Sequence, residues 1–113
     1  MPRKQCIIFA IREIDTHVVR SVSRSTVSYY NACMRHRYNS TEPSVQSYMS
    51  PLYRFIRAHG GWDAFEFVLL ENVLSMDKAD HNRRKAHYYN LYFDTIIAVE
   101  IDLRLYEQIN SMN

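Results

Sequence analysis

Glycine is the scarcest structural resource of this 113-residue sequence: there are two, and they are adjacent, Gly60 and Gly61. The pair supplies a left-handed stop for the helix before it. Cysteine is equally scarce. Cys6 and Cys33 lie far apart with no C-x-x-C or ligand spacing, which supports neither a disulfide framework nor a metal cluster and points to a reducing compartment. The five histidines (17, 36, 59, 81 and 87) contain no His-x-His and no i, i+4 pair, so neither a metal site nor a cofactor is expected. No apolar run approaches a membrane span, the longest being Cys6 to Ile11, and no membrane partner is expected. Met1-Pro-Arg-Lys has basic character but no signal-peptide apolar region behind it, so an intracellular location is expected, in cytoplasm or nucleus, rather than secretion. Internal repeats and low-complexity stretches are also missing.

What is present is enough for one domain over 1–113 with a core of its own. Net charge is only +2, but it is unevenly spread. Residues 1–60 hold nine Lys/Arg against three Asp/Glu, and residues 61–113 hold five against nine. A basic half on a nearly neutral domain is the footprint of a protein that meets an anionic partner such as nucleic acid.

The clearest local signal is Ser50 to Glu71. Ser50 is a natural N-cap, Pro51 suits the first helical position, and Leu52, Phe55 and Ile56 make an i, i+3, i+4 apolar stripe that ends at Gly60-Gly61. Phe65 to Leu70 follows as a buried strand. Earlier in the chain, Gln5–Arg12 and His17–Val22 read as two strands of a hairpin joined through Glu13 to Thr16. A first helix is expected from about Thr26 to Tyr38, with Val27, Tyr30, Met34 and Tyr38 on one face, then a polar loop from Asn39 to Tyr48. Ser75 or Asp77 can cap a third helix running to about Tyr92, whose core contacts are expected from Ala79, Ala86, Tyr89 and Phe93. Thr95–Ile101 has the branched residues of one more strand, and Asp102 can cap a last helix with Leu103, Tyr106 and Ile109 on its apolar side. The expected architecture is α/β: a small central sheet made of the hairpin and a third strand, flanked by helices in the order β-β-α-α-β-α, with a C-terminal strand and helix over 98–113.

That order, together with Tyr48-x-Ser50-Pro-Leu-Tyr-Arg-Phe-Ile-Arg-Ala-His-Gly-Gly-Trp-Asp-Ala-Phe-Glu-Phe-Val-Leu-Leu-Glu71 and the Tyr88-Tyr89-x-Leu91-Tyr92 segment, resembles the GIY-YIG nuclease superfamily over residues 5–97, and most of all its small members in large DNA viruses and phages. The family's chemistry uses a tyrosine on each of the first two strands, an arginine on the first helix and a metal-binding glutamate on the third. The resemblance places Phe9 and Val18 at the two tyrosines, Arg20 at a glycine and Ala86 at the glutamate, and it implies that these four positions line one cleft. An alanine cannot hold magnesium, and a lost oxyanion donor costs about 10²- to 10³-fold in rate, so the resemblance implies the fold without the activity and no catalytic residue is assigned.

Three functions remain open at this stage: a non-catalytic structural or interaction subunit of a larger assembly, with a virion among the settings the resemblance suggests; a nucleic-acid-binding module using the basic half; and a divergent metal-dependent DNA endonuclease. Candidate nucleic-acid contacts are Arg20, Arg24, Arg35, Arg54, Arg57, Arg83, Arg84 and Lys85. For Arg20 the simpler alternative is a pair with an acid such as Glu13; for Arg83 to Lys85 it is neutralisation by Asp77 and Asp80.

Overall fold

A computed structural model describes residues 6–74 and 77–111. Expectations for Met1 to Lys4, for Gln5 as a strand residue and for Ser75 as a cap lie outside the described residues. The centre of the fold is strand β1, Cys6–Glu13, which pairs antiparallel with β2, Val19–Ser25, on one side and with β3, Phe65–Val73, on the other. Its six leading residues are all buried, so the pleat splits them between two covered faces. Cys6, Ile8 and Ala10 pack with Val19, Val22 and Val73 beneath Tyr88, Tyr92 and Ile96. Ile7 and Phe9 meet Ala32, Val27, Tyr29 and Phe67, while Ile11 joins Tyr53, Phe55, Ile56, Phe65 and Val99.

The hairpin forms as expected but turns later. His17 takes a left-handed φ of 59° and its N–H closes on the Glu13 carbonyl, so His17 and Val18 belong to the turn and β2 starts at Val19. Helix α1 is Tyr29–Thr41, capped by Ser28, whose hydroxyl accepts from the Asn31 N–H at 3.2 Å. Its expected core face is its solvent face. Tyr30, Met34 and Tyr38 are 70%, 45% and 61% exposed, and the buried side chains are Ala32 and Ser40, with Tyr29 and His36 beside them. Both faces carry residues at helical spacing, so periodicity could not choose between them; packing on Phe9 selects the face with Tyr29, Ala32 and His36.

A short 3₁₀ turn, Gln46–Met49, overlaps the end of the expected polar loop and leads to α2, Pro51–Ala58. Ser50 is its N-cap in backbone geometry, without the side-chain hydrogen bond expected of it. The helix buries Tyr53, Phe55 and Ile56 and stops as expected: Gly60 and Gly61 have φ of 101° and 71°, and the Gly61 N–H returns to the Ile56 carbonyl at 2.8 Å. A second 3₁₀ turn, Trp62–Ala64, feeds β3.

Helix α3, Lys78–Leu91, is capped by Asp77, whose side chain accepts from the Ala79 N–H. Its inner side is not the expected one. Ala79, Ala86, Tyr89 and Phe93 are exposed, and His81, Arg84 and Tyr88 turn toward the sheet side instead. The expected strand Thr95–Ile101 is also corrected: it lies within one long helix, α4, Phe93–Ser111, which absorbs the Asp102-capped helix as well. Ile96, Val99 and Leu103 fall at i, i+3 and i+7 and meet the core together, a burial that outweighs the strand preference of branched residues. The element order is therefore β-β-α-α-β-α-α. The molecule is elongated, 57 × 30 × 24 Å, with a radius of gyration of 15.2 Å.

Candidate functional site

The four positions drawn from the family pattern do not share one recess. Phe9 lines a small one, about 100 Å³, together with Arg24, Ser25, Ala32, Arg35, His36, Asn39 and Tyr53. Arg20 is held elsewhere: its Nε donates to Glu13 at 2.6 Å, its Nη1 donates to the Thr95 carbonyl at 3.1 Å, and its guanidinium lies over the Phe55 ring. Val18 is half-buried in the turn, and Ala86 is exposed on α3.

The recess around Phe9 has one phenol, from a residue sequence reasoning had not singled out. Tyr53 and His36 Nδ1 are hydrogen-bonded at 2.7 Å, and the Phe9 ring stands edge-on to His36. The signal that could have found His36 was its i+4 place between Ala32 and Ser40, the two buried positions of α1. Burial, with Arg35 adding to it, pushes the His36 imidazole below its ordinary value, so it stays neutral at pH 7. Burial pushes the Tyr53 phenol up. The imidazole and the phenol are taken up in a hydrogen bond to each other, which makes the pair a firm packing contact.

The eight arginine and lysine candidates separate clearly. Arg20 pairs with Glu13, the simpler of its two readings. Arg54 donates to Glu107 at 2.5 Å, and Arg83 pairs with Asp80 one turn away. Arg84 forks onto Glu71, with its Nη2 2.6 Å from Oε1, while Tyr88 donates to the same carboxylate. Arg57 donates to the Ser40 and Tyr48 carbonyls, both at 2.7 Å, and stacks on the Tyr48 ring. Four of these tie separate parts of the fold together, while the Arg83 pair stays within α3. Arg24 and Arg35 come together at the recess, and Lys85 stands apart on α3.

The outward face of α1 is the most distinctive surface near this site. Tyr30, Met34 and Tyr38 recur at i, i+4 and i+8, Arg35 and Arg37 are exposed on the same helix, and its thirteen residues include no acid. Tyr, Met and Arg are the residue types enriched at protein interfaces. Compared with protein-family models, with curated proteins and with solved structures, the chain matches none of them. Among the described residues no three His, Cys, Asp or Glu side chains gather at metal-binding distance, and no helix is long and apolar enough to cross a membrane.

The two lowered pKa values set the acid response. His36 in the folded chain sits below its ordinary 6.5, so as pH falls the unfolded chain takes up the proton first and stability declines from about pH 6.5 downward. The hydrogen bonds from Arg84, with that from Tyr88, hold the Glu71 carboxyl below its ordinary 4.5, so its contribution is present above that value and is lost as pH falls toward the folded one. Urea midpoints measured against pH should therefore fall in two stages. His36→Gln is expected to remove the first stage and Glu71→Gln to flatten the second; a first stage that persists in His36→Gln would refute the assignment.

Proposed function

We propose that this chain works by contact rather than catalysis, as an interaction or structural subunit of a larger assembly built on a GIY-YIG-like scaffold. The observation that carries this reading is the outward face of α1, where a Tyr-Met-Tyr stripe flanked by arginines is left in solvent while most other candidate cations are bound within the fold. The recess beneath that helix is small, about 100 Å³, and its one phenol, Tyr53, is already hydrogen-bonded to His36.

The test uses Met34→Glu with Tyr38→Glu, both at exposed positions. Affinity purification from the protein's own cellular setting should recover a partner with the parent chain, and the double variant should weaken that capture at least about tenfold, the scale of interface hot spots. Capture indifferent to the substitutions, or plasmid cleavage in the presence of magnesium or manganese, would overturn the reading.

One observation favours a second reading, a nucleic-acid-binding module: Arg24 and Arg35 line one recess below an acid-free helix with exposed tyrosines. It requires binding to short DNA or RNA that weakens steeply with salt and is lost in Arg24→Ala/Arg35→Ala. The primary reading expects no retardation of these probes at low salt.

A further inference from the structure

Helix α4 is apolar on two opposite sides. One side, with Ile96, Val99 and Leu103, meets the sheet and α2. The other carries Phe93, Ile97, Ile101, Leu105 and Ile109, which are 43%, 37%, 54%, 54% and 62% exposed. These five recur at every fourth residue, so they form a single i±4n ridge down the helix, the element that packs into the matching groove of another helix. A second apolar stripe on a helix is a second face that burial stabilises. Tyr89 covers part of the beginning of this one, edge-on to Phe93 at 5.9 Å and beside Ile97, while Ile101, Leu105 and Ile109 stay more than half exposed.

We propose that α4 is a self-association helix, and that the ridge is covered by the α4 of a second copy lying antiparallel to it across a two-fold axis. Charge decides both the occupant and the direction. Glu100 and Arg104 lie one turn apart on the same flank of the ridge, and among the described residues neither has an ion-pair partner, Arg54 and Glu107 beside them being paired with each other. A two-fold axis across the helices near residues 102–103 sets Ile101 opposite the partner's Leu105. It also carries each Arg104 toward the partner's Glu100, so one flank complements itself twice. A parallel arrangement would instead face Glu100 with its own copy and Arg104 with its own, whereas the antiparallel one leaves a single like-charge contact, between the two Asp102 side chains beside the axis on the other flank.

The area agrees. The exposed parts of the five ridge side chains amount to about 400–500 Å² per copy, and the flanking side chains bring the total toward the roughly 800 Å² per partner of a standard interface. This face is separate from α1, so the proposal stands without the α1 partner.

Sedimentation equilibrium of the full chain across a concentration series tests it. The expected result is a reversible species of twice the 13.5 kDa chain mass, with Ile101→Glu/Leu105→Glu shifting the dimer constant at least about tenfold toward monomer at unchanged helix content. Arg104→Glu should weaken the dimer by setting like charges together, and Glu100→Arg combined with Arg104→Glu should restore it. A parent chain that stays monomeric at hundreds of micromolar, or a dimer that ignores both variants, overturns the proposal, while the α1 reading is then decided by its own capture experiment. If the charge reversal does not rescue, the antiparallel arrangement is wrong.

Discussion

Phe9→Ala is expected to lower the unfolding free energy by about 3–5 kcal/mol, the range for emptying a buried aromatic site. The ring is 1% exposed and is enclosed by Tyr29, His36 and Phe67 at centroid distances of 6.2, 5.6 and 6.2 Å. These neighbours come from α1 and β3, elements that cannot both follow a shrinking side chain inward, so a cavity should remain. For a domain with about 5–15 kcal/mol in total, the loss leaves little margin. Thermal unfolding should show a midpoint drop exceeding roughly 12 °C. A drop of only a few degrees would mean that the recess collapses freely and that Phe9 is not the anchor between α1 and the sheet.

Arg57→Ala should cost about 2–4 kcal/mol, because the guanidinium closes two backbone carbonyls and stacks 3.8 Å from the centroid of the Tyr48 ring. Ser40, one of the residues it reaches, is itself 1% exposed, and its hydroxyl accepts from Trp62 Nε1 at 2.5 Å while donating to the Arg37 carbonyl. One side chain thus ties together the end of α1, the first 3₁₀ turn and α2. Arg57→Lys should recover little, since an ammonium lacks the planar fork that spans both carbonyls. Arg83→Ala supplies the contrast: its side chain is 72% exposed and its pair with Asp80 lies within one helix, so the change should stay within about 0.5 kcal/mol. Chemical denaturation of the three variants side by side decides the matter, and equal costs for Arg57→Ala and Arg83→Ala would remove the clamp.

The parts of the fold that could be read in advance are those where one physical requirement had one solution. Cys6 to Ile11 has six apolar residues in a row, and only a strand covered on both faces accommodates them. Ser50 to Gly61 has a start, a stripe and a stop, and the helix follows them. The misread elements are those with two apolar faces. On α1 the Tyr30-Met34-Tyr38 stripe is the more hydrophobic, yet Ala32, His36 and Ser40 face inward because Phe9 and Trp62 already fill the space there. On α4 the branched residues suit a strand locally, and the burial that makes them helical comes from Phe55 and Ile11, distant in sequence. The site behaved likewise. Glu13 as the partner of Arg20 was legible because the hairpin brings the two together, whereas Arg57 looked like a surface cation until the carbonyls of Ser40 and Tyr48 were placed around it.

The elongation of the molecule bears on how its association state must be weighed. A compact chain of this length has a radius of gyration of about 13 Å, against 15.2 Å here. A body 57 Å long and 24 Å across meets more hydrodynamic drag than a sphere of equal mass, and on a sizing column calibrated with globular standards it elutes ahead of its mass. A single copy can therefore imitate a pair by elution position alone, and only a method that responds to mass, independent of shape, separates one α4 from two.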